Sequence, residues 1–220
     1  YGVGMEEAYK LLEFAAIATV GDIMELQDEN RIIVKEGLNR IHHTKNIGLK
    51  SLIEVNGLDR ESIGAYHIGF VLGPCINAGG RLDTAKRALE LFSSGDKESA
   101  DRLAGDLKAL NDSRKELTKD GVEEAIRQVL ETGRRSERVL VIYLPDCHES
   151  IAGIIAGKVK ERFYRPTIVL TDAEEGVKGS GRSIPGYHMF EELCKVGELF
   201  TKFGGHPMAA GMSLPKENIQ

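Results

Sequence analysis

A strand–helix–strand pattern in the last third of the chain places the strongest limit on the fold. Residues 139–143 read Val-Leu-Val-Ile-Tyr and residues 167–170 read Thr-Ile-Val-Leu. Uninterrupted runs of this kind are typical of strands buried on both faces of a sheet. Residues 150–163 between them favour a helix, which Pro166 brings to an end. This order predicts two parallel strands joined by a right-handed crossover.

The flanking regions predict one α/β lobe and one helical lobe. We expect a third strand over residues 177–183, a helix over 187–196 and a last strand over 210–214. Upstream, apolar residues at helical spacing end in one long, densely charged helix over residues 97–131. The predicted fold is therefore α/β, with a mainly helical N-terminal lobe and a long bridging helix before a small α/β domain.

Shorter helices are predicted throughout the N-terminal lobe. They cover residues 6–19, 31–43, 49–55, 59–72 and 84–92. Gly73 and Pro74 are expected to end the fourth of them, because proline cannot continue a helix in its interior. Residues 74–83 would then be a polar loop, with Asp83 as the cap of the next helix.

The composition fits a soluble globular protein and excludes several classes. Of the 220 residues, 41% are hydrophobic and 29% are charged, and the net charge of −5 argues against a broadly basic surface that coats nucleic acid. A local basic groove stays possible. The chain has no apolar run of membrane-spanning length and no signal peptide, so we expect no membrane partner and a cytoplasmic location. Three scattered cysteines without a Cys-x-x-Cys pair suggest neither a zinc cage nor a disulfide framework.

Two glycine-bracketed polar segments, residues 179–183 and 204–211, carry the main functional signal. We interpret both as turns in which small residues let the backbone approach a ligand and exposed N–H groups form a nest for an anion. Arg182 offers paired donors that match phosphate oxygens. His206 can donate to such an oxygen or carry a proton near neutral pH. The segments predict an oxyanion pocket that suits phosphate, and ordinary turns are the alternative.

Four further polar residues each leave two interpretations open. Asp22 follows a predicted helix, where it either projects into a cleft or caps the next turn. Asn77 and Arg81 either hold the predicted loop together or reach a ligand. His148 follows the first strand, at the end of a sheet where ligands tend to bind, or it caps the following helix.

These motifs resemble the RecJ family of single-strand-specific 5′ to 3′ exonucleases, within the DHH phosphoesterase superfamily. The resemblance covers nearly the whole chain. Residues 18–23 are similar to the last acidic motif of the catalytic DHH domain, and residues 73–82 to the family motif Gly-Pro-Arg-Ile-Asn-Ala-Ala-Gly-Arg. His148 with the following helix and both glycine-bracketed segments are similar to the DHH-associated domain. The chain departs from the motif at Cys75, where the family has arginine.

The resemblance implies roles for particular residues. Asp22 would be a ligand of a divalent metal, Mn²⁺ or Mg²⁺, and a catalytic residue together with His206. The positions implied to bind substrate are Asn77, Arg81, His148, Ser180, Arg182, Ser183, Gly205 and His206. With Cys75 in place of arginine, one positive contact near the predicted loop over residues 74–83 is missing or supplied elsewhere.

The resemblance also implies a division of the chain into three segments. Residues 1–43 would be the C-terminal remnant of the DHH domain, residues 44–133 a helical connector, and residues 134–220 the substrate-binding DHH-associated domain with a mixed sheet. The chain would then be part of a metal-dependent exonuclease of DNA repair and recombination. Its substrate would be single-stranded DNA, with a helicase or a single-strand-binding protein as candidate partners.

The chain begins at Tyr1, within a predicted element, and lacks the other metal motifs of the superfamily. We therefore expect a fragment that is inactive alone, because a two-metal phosphoesterase needs several carboxylates. Two other functions stay open. One is a DHH phosphodiesterase acting on oligonucleotides or cyclic dinucleotides, and the other is a non-catalytic relative that only binds single strands.

Overall fold

The structure is a computed structural model that describes residues 4–82 and 85–219. It divides into two compact units, between Ser113 and Arg114. The predicted helix cap Asp83 lies outside the described residues. The division into three segments expected from the resemblance remains a prediction.

The first unit is built from helices around one apolar core. The helices are α1 (Met5–Lys10), α2 (Leu12–Gly21), α3 (Asp28–His42), α4 (Ile47–Val55), α5 (Ala65–His67), α6 (Gly73–Leu82), α7 (Lys86–Phe92) and the start of α8 (Lys97–Glu131). Leu49, Leu52 and Leu91 are fully buried in this core. The long helix predicted over residues 97–131 is confirmed, and its residues 114–131 belong to the second unit.

The predicted loop over residues 74–83 is wrong. A π-helical turn, Ile68–Leu72, leads directly into α6, so Gly73 and Pro74 lie inside a continuous helical segment. Proline normally clashes with the carbonyl four residues earlier, and the wider π turn leaves room for its ring. Sequence rules for proline assume a regular α-helix and therefore do not predict a proline that follows a π-helical turn within a continuous helical segment.

The second unit contains one mixed sheet with the strand order β1-β2-β3-β5-β4. The strands are β1 (Leu140–Tyr143), β2 (Thr167–Asp172), β3 (Val177–Arg182), β4 (Lys202–His206) and β5 (Ala209–Leu214). Strands β1 and β2 are parallel and the other pairs are antiparallel, which confirms the predicted crossover and the mixed sheet. Sequence reasoning missed β4, because two adjacent glycines read as a turn.

Helices cover the two faces of this sheet. Helix α9 (Glu149–Phe163) packs over β2 and β3, where Ile155 joins Val169 in one buried cluster. We call this side of the sheet the α9 face. On the opposite face, Met189 of α10 (Met189–Cys194) packs with Met212. Beyond β3, the α9 face carries side chains of β5 and β4, several of which are exposed.

Candidate nucleic-acid interface

Strand pairing puts Arg182 and His206 on the same face of the sheet. Both residues lie directly opposite Ala209, one from β3 and the other from β4. Directly paired residues project to the same side, and two strand spacings separate the outer Cα atoms by about 10 Å. Ser180 precedes Arg182 by two residues and therefore shares its side. Three of the predicted phosphate-binding side chains thus lie together on the α9 face.

The guanidinium of Arg182 lies against α9 at Gly153. Its Nη1 donates to Ser180 Oγ at 3.1 Å and to the backbone oxygen of Gly181 at 2.8 Å. A Cβ on Gly153 would lie 2.6 Å from Arg182 Nη2 and 2.7 Å from Ser180 Oγ. Gly153 therefore makes the space that the guanidinium occupies. Sequence reasoning missed this role, although a glycine inside a predicted helix is unfavourable and was the available signal.

Two opposed glycines form an open floor beside Ser180. Gly211 on β5 lies opposite Ser180 on one side and opposite Gly204 on the other. Both glycines are exposed, and a Cβ built on either would meet no atom within 4 Å. Glycine weakens a strand interior and commonly marks a place where a ligand or another backbone approaches closely. Packing within the described residues does not require glycine here, so the flat surface is available to a ligand.

The other glycines of these motifs have packing roles. The predicted turn over residues 179–183 is wrong, the second predicted turn is reduced to residues 207 and 208, and anion binding remains a prediction. Both segments lie mainly in extended strands, whereas a nest needs consecutive residues in alternating helical conformations. A Cβ on Gly179 would lie 2.5 Å from Leu170 Cδ2, and one on Gly181 would lie 3.2 Å from Met189. At Gly205 it would lie 2.5 Å from the backbone oxygen of Ala209, on the neighbouring strand.

His148 and Ser183 have structural partners. His148 is the N-cap of α9, where its Nδ1 accepts from the backbone N–H of Ser150 at 3.3 Å. The side chain of Ser183 is buried and its hydroxyl donates to the backbone oxygen of Tyr187 at 2.7 Å. The contacts of both residues with substrate remain predictions, and the capping interpretation of His148 agrees with this geometry.

A pocket of about 320 Å³ lies between the first turn of α9 and Ser180. Lys178 lines it and contacts Glu149 Oε2 through its Nζ at 2.6 Å. Hydrogen bonding to this carboxylate raises the pKa of Lys178, so the ammonium stays charged at neutral pH. A positive charge therefore lies two residues from Ser180 on the same strand face.

The structure does not support a reactive thiol next to His148. The neighbouring Cys147 is half-buried, and desolvation raises its pKa to about 11. Because the thiolate is the reactive form, Cys147 is unreactive at neutral pH. Histidine and cysteine are adjacent in sequence here without forming a nucleophile and base pair.

The remaining candidates lie in the first unit. Asp22 is exposed and directly follows α2. Asn77 and Arg81 are exposed, and their spacing of four residues puts them on one side of α6. Among residues 4–82 and 85–219, no group of three or more histidine, cysteine or acidic residues could hold a metal ion. The role of Asp22 as a metal ligand therefore remains a prediction.

Comparison with known proteins agrees with the fold and with the motifs. Residues 136–220 match the family model of the DHHA1 domain. The RecJ exonuclease of Bacillus subtilis is 41% identical over 212 residues, which cover 96% of this chain and 27% of that protein. The chain is homologous to RecJ. The Escherichia coli RecJ is 39% identical, and the alignment covers 96% of this chain and 38% of that protein.

Solved RecJ structures show the same fold. The crystal structure of Thermus thermophilus RecJ with Mn²⁺ matches 95% of this chain and 31% of that chain, with a TM-score of 0.84 and 31% identity. A manganese-bound exonuclease RecJ matches 99% of this chain and 53% of that chain, with a TM-score of 0.83. The α/β fold and the resemblance to RecJ are thereby confirmed. The chain spans between about a quarter and two fifths of the length of the curated relatives it matches.

No helix in the described part of the chain is both long enough and apolar enough to span a bilayer.

Proposed function

We propose that this chain is the nucleic-acid-holding part of a metal-dependent 5′ to 3′ exonuclease that hydrolyses phosphodiester bonds of single-stranded DNA. The observation that carries the proposal is the arrangement on the α9 face, where Arg182 and His206 lie next to an exposed surface with Gly204 and Gly211 as its floor. Relatives named single-stranded-DNA-specific exonucleases support the substrate class. The proposal includes a cytoplasmic role in DNA repair and recombination, with a helicase or single-strand-binding protein as partner.

The chemistry of this face suits a phosphodiester backbone. Arg182 can donate two parallel N–H groups to one phosphate, and such charge-assisted pairs are stronger than neutral hydrogen bonds. His206, about 10 Å away across two strands, reaches a different phosphate or a different oxygen of the same nucleotide. Ala209 lies between them, and the glycine floor, two residues further along the strands, lets a sugar–phosphate chain lie close to the sheet. Lys178 and its partner Glu149 line the pocket at one end of this surface, where Lys178 can donate to a phosphate oxygen.

Asp22 is the residue we propose as a metal ligand. An exposed carboxylate is the donor that Mn²⁺ and Mg²⁺ prefer, so the residue fits this use. Bound divalent ions supply an activated water and stabilise negative charge in phosphodiester hydrolysis. Arg182 would hold and orient the phosphate, and His206 would donate a proton to a phosphate or leaving oxygen.

Further contacts complete the proposal. Asn77 and Arg81 would bind the strand from α6, and His148, Ser183 and Gly205 would support or contact it in the second unit. Since the described residues hold no group able to form a metal site alone, we expect the isolated chain to bind DNA without cleaving it.

The proposal is tested by fluorescence anisotropy with a labelled oligodeoxythymidine at low salt. We expect Arg182→Ala to weaken binding by about 10- to 150-fold, from the ~1.5–3 kcal/mol of a hydrogen bond to a charged group. Arg127→Ala on α8 is the matched control, because Arg127 is exposed and pairs with Glu124 on the same helix. A wild-type chain with no affinity for single strands, or equal losses in both variants, would refute the proposal.

A nuclease assay with Mn²⁺ checks the second part. The complete protein should release nucleotides from long single strands, whereas preference for very short oligonucleotides would favour a DHH oligonucleotide phosphodiesterase. Robust nucleotide release by the isolated chain would contradict our assignment of the metal site.

A further inference from the structure

One side of the first unit exposes two aromatic rings, an amide and a guanidinium in a row. The exposed side chains of the helical segment over residues 65–82 are Tyr66, Phe70, Asn77 and Arg81, with Gly80 between the last two. Their spacings of four, seven and four residues keep them on one side of a helix. Tyr66 is 67% exposed and Phe70 is 69% exposed.

The two rings form one stacked unit. Their centroids are 4.9 Å apart and their planes are inclined by 29°. Phe70 lies in the middle of the π-helical turn, and both ends of that turn, Ile68 and Leu72, are fully buried in the core. The rings are therefore held on a fixed base while their outer faces meet solvent. π-Helical turns are rare and frequently occur at functional sites.

The segment that carries these rings has a charge pattern that suits an anionic polymer. Residues 62–82 contain no aspartate or glutamate, which makes them the longest acid-free run in a chain with a net charge of −5. The second longest such run, residues 199–216, contains β4, β5 and the glycine floor. Carboxylates repel phosphate, so their absence from both runs removes an obstacle to nucleic-acid binding.

We propose that Tyr66 and Phe70 form an aromatic platform on which a base of single-stranded nucleic acid stacks. Asn77 and Arg81 would hold the backbone of the same strand further along this side, about 10 Å and about 16 Å from Phe70 at 1.5 Å per helical residue. Base stacking on aromatic side chains tolerates any sequence, because every base has a π-face. This inference rests on the proposed function. It adds a contact to bases, whereas Arg182 and His206 are proposed to contact phosphates.

The test compares two ligands of equal length, an oligodeoxythymidine and an abasic oligonucleotide. We expect Tyr66→Ala and Phe70→Ala each to weaken binding of oligodeoxythymidine about 10-fold, and to leave binding of the abasic strand unchanged. Phe70→Trp should retain full affinity, because it keeps a stacking surface. Leu89→Ala is the matched control, since Leu89 is also 69% exposed in the first unit but has no ring.

Three outcomes would overturn the platform. They are unchanged affinity in both alanine variants, equal losses on the abasic strand, and a similar loss in Leu89→Ala. If Phe70→Ala unfolds by circular dichroism, Phe70→Leu removes the ring while it keeps the apolar volume, and the same comparison applies. Loss of binding in Arg182→Ala alone would reject the platform and keep the proposed function. A wild-type chain that binds neither strand would reject both.

Discussion

Replacing Gly153 with alanine should displace the side chain of Arg182 although residue 182 is still arginine. The added Cβ would lie 2.6 Å from Arg182 Nη2 and 2.7 Å from Ser180 Oγ, whereas ordinary contact begins at 3.4 Å. The guanidinium must therefore retreat by about 0.8 Å or more to reach a normal separation. It is the far end of a flexible side chain, so it can move while α9 stays in place.

The expected effects on stability and on binding differ in size. Alanine in place of glycine inside a helix stabilises it by about 0.8–1 kcal/mol. Disturbing the hydrogen bond between Arg182 and Ser180 costs about 0.5–1.5 kcal/mol, so the free energy of unfolding should change little. Loss of charge-assisted contacts to phosphate costs about 1.5–3 kcal/mol, which corresponds to roughly 10- to 150-fold weaker binding of single-stranded DNA.

The assay is anisotropy on Gly153→Ala beside Gly157→Ala, with thermal unfolding of each variant. Gly157 lies one turn later in α9, and a Cβ built there meets nothing within 4 Å. The variant Gly157→Ala should gain the same helix stability and keep wild-type affinity for single-stranded DNA. The double variant Gly153→Ala, Arg182→Ala should bind like Arg182→Ala alone, because both changes remove one contact. Wild-type affinity in Gly153→Ala, or full additivity in the double variant, would refute the reasoning.

Gly204→Val should fold normally, because nothing lies within 4 Å of its built Cβ, and should weaken single-strand binding at least about 10-fold by filling the floor. Cys147, with its pKa raised to about 11 by burial, should be alkylated by iodoacetamide far more slowly at pH 8 than the exposed Cys194, as measured by mass spectrometry. Lys216→Met should lower the unfolding midpoint at neutral pH. Hydrogen bonding to Lys216 lowers the pKa of Asp172, so the difference from wild type should disappear as the pH falls through and below the ordinary aspartate value of 3.8.

Each of these three predictions would be contradicted by one specific result. Unchanged DNA binding in Gly204→Val would show that the floor is not covered by substrate. Alkylation of Cys147 as fast as that of Cys194 would contradict its burial. A stability difference in Lys216→Met that persists at pH 2 would assign the effect to packing, since Lys216 also lies 5.7 Å from the ring centre of Tyr143.

The sequence by itself predicted most elements, because the periodicity of helices and buried strands is a local property. Both ends of the long helix over residues 97–131 and the parallel pair β1 and β2 were predicted correctly. The motif residues Arg182 and His206 were also visible without coordinates. Errors arose where a local sequence rule has an exception, as at Pro74, which follows a π turn, and at β4, where two adjacent glycines lie in a strand that pairs with β5.

Only the tertiary structure decided what each glycine does. A glycine looks the same in sequence whether its missing Cβ leaves room for Met189, as at Gly181, or leaves open surface, as at Gly204. The register of β3, β5 and β4 likewise put Arg182 and His206 on one face, since a slip of one residue would have reversed their sides. Local sequence specifies a residue's own conformation, but which atoms lie across from it is set by pairing and packing between distant segments.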